Sequence, residues 1–558
     1  MTASANRSSA SATSHRDGWF SRIAAWCNAS PASIFSLLSV SYIALIWKAA
    51  HRPLWYDELY TYYIAQQPSW TRLLQAIHAI DLNPPLNYAL TRWSIAIFGS
   101  SPWAARLPAI AAFWFASLAI FLFLKKKTSV LIASVAVLLF WSTPYFSYAT
   151  EARPYALLLA FSAWLLYAWD EAANGDRKFA LPLLLFTGFA LLLSHVFGVL
   201  TLGAIWLGEA VRSWRRRRTD WPVAAALLLP LVAVATYSPM FHAFRATMFP
   251  ADSQASLAKL AFLYYATFRW MWRPLLAIAV VAFLSRRQAA NANITALPPE
   301  FATTYIALFL IPLSVTLIFM RSHGAFYDRY GMVAVLPLVL TVAILLHRST
   351  QSRTASLVAL ICVGFLLLLS TGLRVPLDRA VSSVLPGRSG EKLAGILTTS
   401  IHGPFRPWWK KLPVPPSIQS ERSGAPLVQS LETFDPELPI VAASELTFFE
   451  MDNRESSAVT TRLNYLYDRR AEIEISHRSV ADGVLEARDY FPLRANIADY
   501  HQFIDEHRTF LVVGLWEHPG DWLLRKAASD GATITVAGQI QAYADTDIYL
   551  ITFPAIPR

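Results

Sequence analysis

The sequence has 558 residues, 55% hydrophobic and only 15% charged, with a mean hydropathy of +0.37 and a formal net charge of +11. About a quarter of a soluble domain is charged, so a wholly soluble chain is excluded. The basic excess does not point to nucleic acid: residues 1–372 carry 29 Lys or Arg against 13 Asp or Glu, residues 373–558 carry 19 against 24, and the basic residues sit between apolar runs, not on a soluble module with interleaved aromatics.

Residues 1–32 are rich in Ser and Ala, with Arg7, Arg16 and Arg22 ahead of the first apolar run. Lys48 and His51 follow that run where a small-residue cleavage site would stand, which predicts an uncleaved signal anchor with a cytoplasmic N-terminus. Apolar runs predict about eleven transmembrane helices, at 33–50, 105–124, 129–146, 153–169, 180–194, 196–211, 222–240, 260–284, 302–320, 331–347 and 354–372. Lys125 to Lys127, Arg177-Lys178, Arg215 to Arg218, Arg286-Arg287, and Arg348 with Arg353 fall on every second loop. The positive-inside rule makes those loops cytoplasmic and puts 51–104, 147–152, 195, 241–259 and 321–330 outside, together with everything after 372. Cys27 and Cys362 lie in or near these runs, so neither a disulfide framework nor a Cys-rich metal site is available.

The Pro-rich stretch 373–437 reads as a linker or surface wrap. Beyond it, Leu438 to Ala443, Thr509 to Gly514, Thr533 to Val536 and Ile548 to Phe553 read as strands, and Ala495 to His507 as a helix, predicting a small α/β domain over 438–558. The expected architecture is a polytopic α-helical membrane protein, with a transmembrane domain over 33–372, interfacial helices in its first outer loop and an extracytoplasmic α/β domain.

Three outer sites carry acids in unusual company. Asp57-Glu58 stand among Trp55, Tyr56, Leu59 and Tyr60, as interfacial carboxylates for proton transfer or metal binding, or with Asp57 as a helix cap. Asp81, Asn83, Pro84-Pro85 and Tyr88 end a helix that Ser69 could cap and whose stripe of Trp70, Leu73, Leu74, Ile77 and Ile80 is expected in lipid. Glu151-Ala152-Arg153-Pro154-Tyr155 open the fourth span, as a site or as an interfacial ion pair with a snorkelling Arg153. His195 lies at an outer turn, where a structural role is the plainer reading. Arg321, His323, Tyr327, Asp328, Arg329 and Tyr330 crowd one loop and suit a phosphate, or else an aromatic and basic belt.

In order along the chain, Trp55-Tyr56-Asp57-Glu58, Asp81-Leu82-Asn83-Pro84-Pro85-Leu86-Asn87-Tyr88, Ala104-Ala105-Arg106-Leu107-Pro108, Glu151-Ala152-Arg153-Pro154-Tyr155, Ser194-His195-Val196-Phe197-Gly198 and Asp328-Arg329-Tyr330 resemble the C-type glycosyltransferase superfamily. The similarity covers roughly 30–350 and is nearest the bacterial relatives of protein O-mannosyltransferases, lipid A aminoarabinose transferases and rhizobial lipid A galacturonosyltransferases. The resemblance implies a multi-pass protein of the bacterial inner membrane that moves a sugar from a polyprenyl-phosphate carrier to a lipid, glycan or protein acceptor in the envelope. It maps catalytic acids onto Asp57, Glu58, Asp81 and Glu151. Family members differ on a divalent metal among Asp57, Asp81 and Glu151, so a metal cofactor stays open. The chemistry needs a carboxylate base for the acceptor hydroxyl and cationic groups for the departing phosphate. Candidates to bind substrate are Tyr56, Asn83, Tyr88, Arg153, Tyr155, His195, Arg321, His323, Arg329 and Tyr330.

The main rival is a transporter or lipid flippase, for which ionisable residues inside spans would speak. Arg269 and Arg273, inside the eighth span, are the exception that favours it. A nonenzymatic envelope subunit would not need the acidic, Pro-Pro and Arg-Pro-Tyr elements together.

Overall fold

The structure, a computed structural model, describes residues 19–81, 83–237, 254–285, 297–322, 324, 326–350, 352–371, 413–477, 481–518, 520–540, 543 and 546–554. The helices run α1 (Trp19–Ala29), α2 (Pro31–Ala50), α3 (Tyr56–Ala65), α4 (Trp70–Ala76), α5 (Leu86–Phe98), α6 (Pro102–Lys127), α7 (Val130–Trp141), α8 (Tyr155–Asn174), α9 (Arg177–Ser194), α10 (Gly198–Arg216), α11 (Trp221–Leu228), α12 (Leu257–Ser285), α13 (Pro299–Phe309), α14 (Ile311–Ser322), α15 (Val335–Thr350) and α16 (Arg353–Thr371). Among the described residues seven helical stretches are long and apolar enough to span a membrane, and nine if two bent pairs each count as one span. The bent pairs are α7 with the 3-10 segment Pro144–Thr150, at 82°, and α13 with α14, at 44°. The two remaining expected spans, 196–211 and 222–240, coincide with α10, whose later turns carry Glu209, Arg212, Arg215 and Arg216, and with the shorter apolar stretch Trp221–Tyr237.

Charge sorts the two ends of the bundle. At one end Lys126 pairs with Glu171 at 2.7 Å, Lys127 with Asp170 at 2.8 Å and Arg212 with Glu209 at 2.8 Å, and Arg177 and Arg215 reach Asp220 and Glu300. This basic end closes tightly because Gly208 lets α10 approach α13; a Cβ there would collide with Thr304. The opposite end carries α3, α4 and α5 and the C-terminal domain.

The domain continues with α17 (Pro416–Gly424), β1 (Ile440–Ala442), α18 (Glu445–Arg454), β2 (Leu463–Tyr467), β3 (Asn496–Asp499), β4 (Thr509–Gly514), β5 (Thr533–Ile540) and β6 (Thr546–Thr552). They form one six-stranded sheet, β3-β2-β1-β4-β6-β5. β1 to β4 are parallel, and β6 runs antiparallel to β4 and β5. β1 and β4 are buried throughout or nearly so, as continuous apolar runs in a covered parallel sheet should be.

Three expectations change. The helix expected at 495–507 starts as β3 and becomes helical only at Tyr500–Glu506, because residues 496–499 pair with β2. β2 was not anticipated. Residues 413–437, expected as linker, belong to the domain: Ile418 is buried in its core, Val428 N–H donates to Gln539 O at 2.8 Å, and Arg422 pairs with Glu517 at 2.8 Å. Residues 372–412, most of the expected linker, lie outside the described residues, as do 1–18 of the N-terminal tail.

In a background lacking Cys27 and Cys362, single cysteines at the exposed positions Arg217 and Arg470 should label from opposite sides of the membrane. An impermeant thiol reagent on intact cells should reach 470 and not 217, as the positive-inside rule orients the basic end; the reverse pattern rejects that orientation.

Candidate active site

The site is built on α3, and α3 is set by a buried ion pair. Arg106 enters on the second turn of α6, which Pro102 starts. Its Nε and NH2 donate to Glu58 Oε1 and Oε2 at 2.7 and 2.6 Å, and both side chains are 0% exposed. The remaining valences are filled. Arg106 donates to the carbonyls of Ala50 and Pro53, and Glu58 accepts from the backbone N–H of Ala152 at 2.8 Å and of Trp55 at 3.2 Å. Glu58 therefore caps the first turn of α3 in place of Asp57, and its oxygens have no room for chemistry.

Asp57, one residue earlier, points to a different side. Its Oδ2 faces Arg329 NH1 at 3.5 Å, and both side chains keep about a quarter of their surface open. Arg329 lies over the rings of Tyr327 and Tyr155 at 4.3 and 5.4 Å. Asp81 is held far more tightly. Arg153 donates to Oδ2 at 2.6 Å and Oδ1 at 3.0 Å, Tyr88 OH donates at 2.6 Å and Asn83 Nδ2 at 2.9 Å. Burial, and then Asp81, push the Tyr88 phenol well above its usual range, so it stays a donor. Arg153 also donates to the backbone O of Asp57 at 3.1 Å, tying the two acids together. The chain reaches Asp81 through a π-helical turn, Ile77–Asp81, that interrupts the helix begun by Ser69, whose Oγ accepts from Arg72 N–H. The stripe expected in lipid is divided: Trp70 and Leu74 are exposed, whereas Leu73 and Ile77 are buried in a cluster shared with Phe449 and Phe491 of the C-terminal domain.

Glu151 follows the 3-10 segment and is half-buried. Burial, then the neighbouring Glu58, push its carboxyl up to about 7, against the opposing pull of Arg52. His195 is buried; burial, then Arg329 and Arg153, push it down to about 3, so it is neutral, with Nδ1 accepting from Phe197 N–H at 3.1 Å. Its ring lies 5.8 Å from Tyr155. Tyr330 packs on Phe197 and Tyr327 and belongs to the wall around Arg329. Tyr56 shares a hydrogen bond with Tyr60, OH to OH at 3.1 Å. Arg321 is exposed in the last turn of α14, and among the described residues no hydrogen bond or ion pair joins it to these acids. His323 and the Asp328 side chain lie outside the described residues.

The set does not fit a divalent ion. Among the described residues no three His, Cys, Asp or Glu side chains gather to hold a metal. Both oxygens of Asp81 are occupied by Arg153, and a cation near Asp57 would face Arg329.

Residues 82–240 match the family model of dolichyl-phosphate-mannose-protein mannosyltransferase, a segment that holds Glu151, Arg153, Tyr155 and His195 and starts just after Asp81. Across 94% of its length the chain follows 99% of the crystal structure of ArnT from Cupriavidus metallidurans in the apo state, with a TM-score of 0.51 at 13% identity. The chain therefore shares the fold of ArnT, and part of it is similar to a mannosyltransferase family. A second ArnT crystal structure from that organism, bound to undecaprenyl phosphate, has a TM-score of 0.49 at 15% identity over the same shares. No curated protein matches the chain by sequence.

On this ArnT-like fold, the C-terminal domain reaches the acid-bearing helix directly, which sequence reasoning missed. Glu450 of α18 accepts from Tyr56 N–H at 3.1 Å, one residue before Asp57. Arg454 pairs with Glu450 at 2.9 Å and donates to Leu54 O, and Asn453 donates to Tyr63 OH at 2.9 Å. Beyond the far end of α3, Gln67 and Arg72 donate to the carbonyls of Tyr490 and Asp489, both at 2.6 Å. Nothing local in the sequence marks Glu450. Arg106 did carry a signal, since a guanidinium opening an apolar helix needs a partner.

Glu450→Ala removes the outside cap of α3 and should lower turnover about tenfold with KM little changed, the pattern of a displaced positioning contact. Glu450→Gln keeps an oxygen for Tyr56 N–H and should restore most of it; equal loss in both variants would make the contact one of charge, not of cap geometry. Glu151 offers a second check. Its folded pKa is raised, so whatever stability this group contributes is present below the ordinary carboxylate range and lost as pH rises towards about 7. Glu151→Gln should therefore melt higher than the parent at pH 8, with the gap closing by pH 5; a gap that widens on acidification rejects the assignment.

Proposed function

We propose that the chain transfers a sugar from a polyprenyl-phosphate carrier to an acceptor hydroxyl outside the cytoplasm, in the envelope of a bacterial cell. The observation that carries this reading is the pair of acid–arginine couples, Asp57 with Arg329 and Asp81 with Arg153, joined through the Asp57 backbone. The family model matching 82–240 is named for a lipid-phosphate-linked sugar donor, which supports a carrier of that class.

The couples divide the work. Asp81 is saturated and acts as a strut. Asp57 meets Arg329 only at 3.5 Å and keeps lone pairs open, so it is the base. The acceptor oxygen attacks the anomeric carbon as its proton passes to Asp57, and the bond from that carbon to the carrier phosphate breaks. The phosphate leaves with its electron pair into the field of Arg329, which supplies two parallel N–H donors. A single displacement, with one base and no covalent sugar intermediate, gives inversion. Glu151, near half-protonated at neutral pH, can both donate to and accept from a sugar hydroxyl. The arginines supply the cationic stabilisation, and no metal enters the scheme. A narrow, mostly apolar crevice lined by Leu263, Phe268, Phe309, Pro312, Val335 and Leu338, with Gly331, two residues from Arg329, in its wall, offers a path for the prenyl tail.

Asp57→Asn preserves shape and removes the base, so turnover should fall about 10²-fold or more with donor binding spared. Arg329→Lys should also lose most transfer, since an ammonium lacks the fork. The assay follows release of the carrier phosphate from a polyprenyl-phosphate sugar in membranes. Normal turnover in Asp57→Asn rejects the base assignment; no donor consumption by the parent protein rejects the transferase reading.

A further inference from the structure

Three membrane-spanning helices mark the bilayer boundary at the basic end: α6 ends at Lys127, α8 ends at Asn174 and α9 starts at Arg177. The turn from α10 to α11 is tied to that level. Arg177 donates to both oxygens of Asp220, the residue that precedes α11, at 2.5 and 3.3 Å. Arg212 donates to the same carboxylate at 2.9 Å, and Arg215 pairs with Glu300 at 2.5 Å. Arg216 reaches Asp220 only at 4.0 Å.

Arg217 and Arg218 come next. Both are exposed, and among the described residues no hydrogen bond or ion pair engages either guanidinium. Arg217 also stands where a glycine is usual. Its N–H donates to Trp214 O at 3.1 Å and that of Arg218 to Ser213 O at 3.2 Å, the pattern that closes a helix through a left-handed residue. That residue is Arg217, at φ 50°. Among the described residues His477 is the only other non-glycine with a positive φ. A side chain there strains the backbone, and the exposed Arg217 gains no packing in return. What it contributes is a charge carried clear of the helix end.

With Ser213, Trp214, Arg215 and Thr219, these two arginines line an open hollow of about 490 Å³, within the ~300–1,000 Å³ of small-ligand sites. Two large rings flank it. Trp214, 79% exposed, lies near the end of α10, and Trp221, 72% exposed, opens α11. Bare indole rings at a span boundary belong at the depth of lipid headgroups. A free anion has no use for such rings, whereas a lipid meets cations at its phosphate and rings beside its chains.

We propose that the turn carrying Arg217 and Arg218 binds the headgroup phosphate of an anionic membrane phospholipid, whose acyl chains lie against Trp214 and Trp221. The site is at the opposite end of the bundle from Asp57 and Arg329. It stands whether or not the transferase reading does, because it rests only on the basic end meeting a bilayer surface.

The test is native mass spectrometry of the detergent-purified full chain, titrated with phosphatidylglycerol and with zwitterionic phosphatidylcholine. R217Q and R218Q should each weaken retention of phosphatidylglycerol about fivefold, and R217Q/R218Q about tenfold or more, with phosphatidylcholine unaffected. R217G/R218Q controls for folding. Glycine suits the left-handed backbone, so this variant should melt no lower than the parent while losing phosphatidylglycerol to the same extent. Equal retention of phosphatidylglycerol by the parent and R217Q/R218Q overturns the proposal, as does a parallel loss of phosphatidylcholine. Retention by R217G/R218Q also overturns it, since the glutamine variants would then have lost lipid through misfolding. Displacement of phosphatidylglycerol by an equal concentration of inorganic phosphate would make the occupant a free anion and reject the lipid.

Discussion

Everything at the candidate site depends on one buried ion pair, Glu58 with Arg106. Removing two charges from water is costly, and such a pair survives only when every donor and acceptor is satisfied. Here they are, by backbone groups from two separate stretches, residues 50–55 and residue 152. Breaking it by removing one partner would cost about 3–5 kcal/mol, because the other charge would stay buried. The pair also sets direction. Successive helical residues point about 100° apart, so fixing Glu58 into the protein turns Asp57 out towards Arg329. The acid proposed as the base is aimed by the acid locked in the ion pair.

The two couples that flank this pair are unequal, and the inequality is informative. Asp81 has four donors around its two oxygens, Asp57 has one long contact. A carboxylate that must take up and release a proton cannot be saturated; one that must hold geometry should be. Glu151 and His195 complete the local electrostatics from opposite sides. Burial, and then Glu58 and Asp57, let the Glu151 carboxyl take up protons more readily; burial, and then two guanidiniums, make the His195 imidazole give its proton up.

Legibility in the sequence followed distance along the chain. The helices of the spans, most of the basic loops and the Ser69 cap are local patterns, and they reappear in the structure, whereas Arg286-Arg287 lie outside the described residues. Asp57, Asp81, Glu151, Arg153 and Arg329 were legible because ionisable groups at an apolar boundary need partners, and the structure supplies partners for four of them from one another. The role of Glu58 was misread: an acid next to Asp57 in a Trp- and Tyr-rich turn reads the same whether it faces a substrate or a buried arginine. The stripe of α4 was assigned to lipid because the domain that covers Leu73 and Ile77 begins more than 300 residues later. β3 was read as helix because its pairing with β2 outweighs the apolar periodicity of Ile497, Tyr500, Phe503 and Ile504, which becomes helical only from Tyr500.

The contact from Glu450 to Tyr56 spans 394 positions, and that interval has a temporal meaning. At about 5–20 residues per second, tens of seconds separate the moment α3 leaves the ribosome from the moment its cap is made. During that time the backbone that aims Asp57 stays uncapped. The arrangement makes completion of the chain the last step of building the centre, so a truncated or stalled copy carries the acids without the brace that orders them.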